Sequence, residues 1–180
     1  MTSVPDTVAT YGVFAGDAAD DRHDLVAGLE KAFARSARHG AGACVLMLVL
    51  DRAEELAGVR THEIGAMAMS TVSRAADRVL RKPDILGRFE AGAIAAIALE
   101  TDVDSAIAIA ERIQETVQGV EIDTPDGARN FTVSIGISEL NADMPNFASA
   151  LKSAERALRT ATASGRDRAV VGASTEVAAI

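Results

Sequence analysis

The chain has 180 residues and a formal net charge of −8, enough length for one domain with a full core but with no basic stripe to hold a nucleic acid backbone. Aromatic residues make up only 3% and tryptophan is absent, so base-stacking platforms for single strands are excluded as well. The single cysteine, Cys44, excludes an intramolecular disulfide, and the longest apolar run, Ala43 to Leu50, falls far short of the ~20 residues of a membrane helix.

Residues 1–22 read as a partly ordered lead-in. They are acidic and lack the basic start and apolar segment of a signal peptide, so a cytoplasmic protein without membrane insertion is expected. Residues 23–172 read as one domain and 173–180 as a tail. Leu25, Leu29 and Phe33 recur at helical spacing, with Arg35 and Arg38 near the end of that helix and Gly40 stopping it. Ala43–Leu50 is a continuous apolar run of strand length, which predicts a central strand covered on both faces. A second helix is expected from about Glu63 to Leu80, ended by Pro83. Two short apolar runs, Ile85 to Phe89 and Ile94 to Leu99, then flank the turn Glu90-Ala91-Gly92-Ala93 as a hairpin.

Between Asp102 and Val117, Ile107, Ala110, Ile113 and Val117 form one helical stripe. Thr124-Pro-Asp-Gly127 is a turn, Phe131–Ile137 alternates as a strand, Phe147–Ala163 reads as a helix before Gly165, and Ala169–Val171 as a short last strand. The order after the first helix is β-α-β-β-α-β with a helix and strand appended. This predicts an α+β fold with a ferredoxin-like, palm-type βαββαβ core, its sheet mainly antiparallel and its helices packed against it, in the simplest version on one face.

No constellation of residues announces chemistry by itself. His23, His39 and His62 are scattered, the serines lack a strand-turn-helix elbow, and Gly40-Ala-Gly42 precedes a strand rather than a helix. The acidic pairs Asp20-Asp21 and Glu54-Glu55 read as solvated faces.

Several segments in order carry a family likeness. Glu155-Arg-Ala-Leu-Arg-Thr-Ala-Thr-Ala-Ser-Gly-Arg-Asp-Arg-Ala-Val-Val171, Thr132-Val-Ser-Ile-Gly-Ile137, Ile109-Ala-Glu-Arg-Ile113 and Ala34-Arg-Ser-Ala-Arg-His-Gly40 together resemble the GGDEF domain, the module of diguanylate cyclases, over roughly residues 24–171. The family's opening motif is eroded, at best to Asp6-Thr-Val-Ala-Thr-Tyr-Gly12. The resemblance implies a bacterial second-messenger protein, from a family that joins two GTP molecules into cyclic di-GMP with divalent metal. In the same register the first metal aspartate falls on Val49, with Asp51 two positions on and expected to face the other side of the strand. The signature Gly-Gly-Asp/Glu-Glu-Phe falls on Glu90-Ala91-Gly92-Ala93-Ile94, so Gly92 and Ala93 stand at its carboxylates and Glu90 at a glycine. The guanine-reading residues become Ala57 and Ala66, and the phosphate lysine becomes Thr162, which leaves Arg166. The implied reading is a catalytically inactive domain with no metal and no cofactor.

The family's product-binding inhibitory site is marked by Arg-x-x-Asp, five residues ahead of the signature, and Arg81-Lys-Pro-Asp84 stands in that register. Arg112 falls on the site's helix arginine and Arg35 on its cross-domain arginine. Arginine can fork onto the O6/N7 edge of guanine and an aspartate can accept from guanine N1 and N2, each charge-assisted bond contributing about 1.5–3 kcal/mol. Arg81, Asp84 and Arg112 are expected to converge on one exposed patch that holds cyclic di-GMP. Arg35 or Arg38 of another copy would close its far side in a ligand-promoted homodimer. A downstream protein partner or neighbouring domain would then receive the signal, with no DNA or RNA involved. The alternative is a nucleotide-independent interaction or dimerisation module, in which Arg81 and Asp84 form a surface pair contributing at most ~1 kcal/mol.

Overall fold

All eight residues of β1 (Ala43–Leu50) are buried, and the rest of the architecture follows from covering both sides of that strand. The computed structural model describes residues 18–53, 61–90, 92–124 and 127–173. Within them β1 is preceded by α1 (Ala18–His39) and followed by α2 (Thr61–Val79), β2 (Ile85–Glu90), β3 (Ala93–Leu99) and α3 (Val103–Gln118). Next come the hairpin β4 (Glu121–Thr124) and β5 (Gly127–Asn130), then β6 (Val133–Leu140), α4 (Phe147–Ala163) and β7 (Ala169–Val171). The main sheet has the order β2-β3-β1-β6-β7, and β4 and β5 form a separate two-stranded sheet. Pairing is antiparallel throughout the main sheet except between β6 and β7, which α4 connects as a crossover. The βαββαβ palm core is therefore present, made of β1, α2, β2, β3, α3 and β6.

Helices cover both faces of the sheet, where the simplest ferredoxin-like reading puts them on one. The reason lies in β1. Cys44, Leu46, Leu48 and Leu50 face α2 and α3, meeting Val72, Ala76, Ala110 and Ile113. Val45, Met47 and Val49 face α1 and α4, meeting Leu25, Leu29, Ala154 and Leu158. A strand apolar on both faces leaves neither to solvent, and each large aliphatic side chain so buried contributes about 1.5–3 kcal/mol.

Local chemistry sets the element ends. Gly40 takes φ 64° as its N–H donates to Ser36 O at 2.9 Å, which closes α1. Asp102 caps α3 by accepting from Ser105 N at 2.8 Å, and bonds from Ser105 hold its carboxyl below the usual value. Asn146 caps α4 in the same way, accepting from Ser149 N at 3.1 Å. α1 begins at Ala18, inside the segment expected as lead-in. β4 and β5 are strands where only the turn between them was expected. Asp6–Gly12, Ala57 and the residues after Ala173 lie outside the described residues, as does the side chain of Glu90.

Candidate functional site

Two regions carry the residues singled out in the sequence, at opposite ends of the central strands. At the C-terminal end of β1, Val49 is 1% exposed and packed into the layer shared with α1 and α4. Gly92 adopts φ 84° in the hairpin turn and Ala93 is 1% exposed. The hydroxyl of Thr162 donates to Arg159 O in its own helix at 2.9 Å, while Ala66 is exposed on α2. Arg166 sits beyond α4 at φ 64°, its N–H donating to Ala161 O at 3.1 Å.

Asp51 does not turn away from Val49, as the sequence reading expects. Residues two apart on a strand share a face. Ser134 is the cross-strand partner of Val49, and its hydroxyl donates to Asp51 Oδ1 at 2.7 Å. Thr132 Oγ1 donates to Oδ2 at 2.7 Å, and so does Asp167 N at 2.9 Å. The Asp51 N–H in turn donates to Thr132 O at 2.9 Å. A carboxylate 3% exposed thus ties the end of β1 to the start of β6 and to the loop after α4. In that loop Gly165, Arg166 and Asp167 all have positive φ, a strained path that Asp51 helps to hold. The alternation of Thr132 and Ser134 along β6 was the available signal for this hub. Among the described residues, no three His, Cys, Asp or Glu side chains group in a way that could hold a metal ion.

At the other end, the turn from α2 into β2 brings Arg81 and Asp84 together. Pro83 stops the helix, and Arg81 N donates to Asp84 Oδ2 at 2.8 Å. Asp84 Oδ1 accepts from Leu99 N at 3.0 Å, and the Asp84 side chain is 0% exposed. Arg81 Nε lies 3.7 Å from Asp84 Oδ2, and Nη2 donates to Leu99 O at 2.6 Å and to Thr101 Oγ1 at 2.9 Å. The Arg81 side chain is nevertheless 57% exposed. Arg35, near the end of α1, pairs with Glu100 between those two anchor points. Arg35, Arg81 and Asp84 therefore meet on one segment, Leu99–Thr101. Arg112 lies on the exposed side of α3, ten residues and about 15 Å of helix beyond Asp102. No bond joins its guanidinium to Arg81 or Asp84 among the described residues. The inward set of Asp84 means that a direct bond to a guanine edge requires its hydrogen bond to Leu99 to open. Glu100 and Thr101, part of this cluster, carry no motif and were not legible beforehand.

Cys44 closes the same segment from below, its thiol donating to Thr101 O at 3.4 Å. Burial, with the charges of Glu139 and Asp102 adding to it, pushes the thiol up to about 12 from 9.0. At pH 8 the thiolate fraction falls roughly a thousandfold below that of an ordinary thiol. Native protein should therefore resist a maleimide or disulfide reagent, whereas denatured protein labels with one equivalent. Rapid native labelling would show that the Leu99–Thr101 segment opens readily.

The family model described as "Diguanylate cyclase, GGDEF domain" matches residues 20–168. The chain is 30% identical over 146 residues to "Probable diguanylate cyclase DgcC" of Escherichia coli (strain K12), covering 81% of this chain and 39% of that protein. It thus spans about two-fifths of the length of this curated relative. Among solved structures, diguanylate cyclase SiaD of Pseudomonas aeruginosa in complex with its activator SiaC is similar at TM-score 0.78 and 26% identity, over 84% of this chain and 58% of that one. The GGDEF domain of DgcB from Caulobacter crescentus, in complex with c-di-GMP, is similar in fold at TM-score 0.79 and 20% identity, over 89% of this chain and 98% of that one.

Proposed function

Because the chain belongs to the GGDEF family, the domains of diguanylate cyclases, we propose that it is a member without cyclase activity that serves as a cyclic di-GMP receptor. The observation that carries this reading is the contrast between the two ends of the sheet. At the positions where the resemblance puts metal carboxylates stand Val49 and Gly92, and Ala93 stands at the signature's next glutamate; none has a side-chain oxygen to offer a hard cation. The nearby carboxylate of Asp51 is committed to Thr132, Ser134 and Asp167. At the shoulder, Arg81 is held by its backbone and yet is 57% exposed, with N–H donors beyond the two bonds of Nη2.

In this reading Arg81 supplies the fork to a guanine edge or phosphate, and Asp84 holds the Arg81 backbone. Arg35 contributes a second cation across the Leu99–Thr101 segment, and Arg112 reaches a second base from α3. Micromolar binding needs about 8 kcal/mol net, within reach of three or four charge-assisted contacts plus stacking. The occupied state would be passed to a neighbouring domain or a downstream protein, or would favour a second copy closing the far side of the ligand.

Titration calorimetry with cyclic di-GMP, then with GTP, tests the reading. Wild type should bind the dinucleotide and not GTP. Arg81→Ala should weaken binding about ten- to a hundredfold while lowering the stability of the free protein by about 1 kcal/mol or less, because the side chain is largely exposed. Incubation with GTP and Mg²⁺ or Mn²⁺ should give no cyclic di-GMP. Equal binding by wild type and Arg81→Ala, or no binding at high micromolar protein, replaces the receptor with a nucleotide-independent interaction module.

A further inference from the structure

Glu100 ends β3 at φ 50°, a left-handed conformation that is unfavourable for any residue with a Cβ. Its neighbours explain why the chain is held there. Leu99 N is bound by Asp84, Leu99 O and Thr101 Oγ1 accept from Arg81, and Thr101 O accepts from Cys44. Leu99 and Thr101 are fixed through these bonds to Asp84, Arg81 and Cys44, while the Glu100 carboxylate between them pairs with Arg35 of α1. Two arginines, Arg35 of α1 and Arg81 of the turn after α2, are thus quenched by three consecutive residues. Arg35 is held by a carboxylate, and Arg81 by a carbonyl and a hydroxyl. These are the acceptor types that a phosphate or a guanine edge would replace.

We propose that Glu100 is a built-in competitor for the anionic ligand of this shoulder: its carboxylate occupies Arg35 in the ligand-free protein, and an arriving phosphate must displace it. The inference rests on the receptor reading above and adds to it the residue that sets the affinity. The pair is half exposed, so its own strength is small and a dianionic dinucleotide can outcompete it.

The test is Glu100→Gln, which keeps the length and polarity of the side chain and removes its charge. Cyclic di-GMP affinity is measured by calorimetry for wild type, Glu100→Gln, Arg35→Ala and the double variant. Freeing Arg35 from its carboxylate partner should tighten binding about three- to tenfold, and this gain should vanish in the Arg35→Ala background. Unchanged or weaker binding by Glu100→Gln, with wild type binding, overturns the competitor and leaves the receptor standing. So does a gain that persists without Arg35, since that would be a general charge effect. No binding by either protein removes the receptor and the competitor together.

Discussion

Asp51→Ala should lower the free energy of unfolding by about 3–5 kcal/mol, measured by urea denaturation followed by circular dichroism. The Asp51 carboxylate is 3% exposed and accepts from two hydroxyls and one backbone N–H. Bonds to a charged acceptor contribute about 1.5–3 kcal/mol each. They share one carboxylate and are not additive, so the total falls below their sum. Truncation also leaves the hydroxyl of Ser134, itself 0% exposed, without its acceptor. Against a typical total stability of about 5–15 kcal/mol, this is a large fraction. Hydrogen exchange gives a local check. The Asp167 amide should lose protection in Asp51→Ala before the amides of β1 do, because its partner has gone while the strand ladder remains. A change below about 1 kcal/mol would mean that water takes over the role of the carboxylate.

Gly136→Ala should be nearly as damaging, for a steric reason. β6 alternates Val133, Ile135 and Ile137 toward α2 and α3 with Ser134, Gly136 and Ser138 toward α4. A Cβ on Gly136 would come within 2.8 Å of Leu158 Cβ and closer still to Ala154 O and Leu158 N. Two of those atoms are α4 backbone, so the helix must move as a body, with Ala154 and Leu158 leaving their packed positions. Overpacking of this kind costs about 1–3 kcal/mol or more, and the upper end applies where backbone rather than side chain is struck. For a chain of this size, 3 kcal/mol corresponds to a loss of roughly 6–12 °C in melting temperature. Gly28→Ala is the control. Its Cβ would meet Ile85 Cδ1, the far end of a flexible side chain, and the helix-propensity gain at that position offsets the adjustment. The control should melt within a few degrees of wild type; equal losses in both variants would show that helix packing yields as easily as a rotamer.

The same glycine explains why the Thr132–Ile137 motif is informative. Without its physical reason the run is only a strand with polar alternation. In the structure Thr132 and Ser134 anchor Asp51, and Gly136 admits α4 to the sheet. The Arg81-x-x-Asp84 motif gains similar content, since its spacing places the Asp84 carboxylate to cap the Arg81 N–H and to hold the end of β3.

Periodicity alone determined the main elements of this protein. β1, with eight apolar residues in succession, and α3 and α4, with their single apolar stripes, depend on local hydrophobic spacing, which any reader of the chain can count. The tip and shoulder of the hairpin were likewise legible, because proline, glycine and charge punctuate the chain there. Tertiary structure alone decided the rest. β5, Gly-Ala-Arg-Asn, is exposed throughout and has no pattern of its own; it is a strand because β4 supplies its hydrogen bonds. Asp51 faces inward because three donors from residues 81 to 116 positions away meet it, and no local spacing encodes that meeting. Glu100 and Thr101 join the cluster of Arg35, Arg81 and Asp84 only because folding brings α1 and the turn after α2 to the same three residues of β3 and the turn that follows it. Side-chain spacing along the chain reports what one element buries, whereas a site assembled from several elements exists only once they have packed.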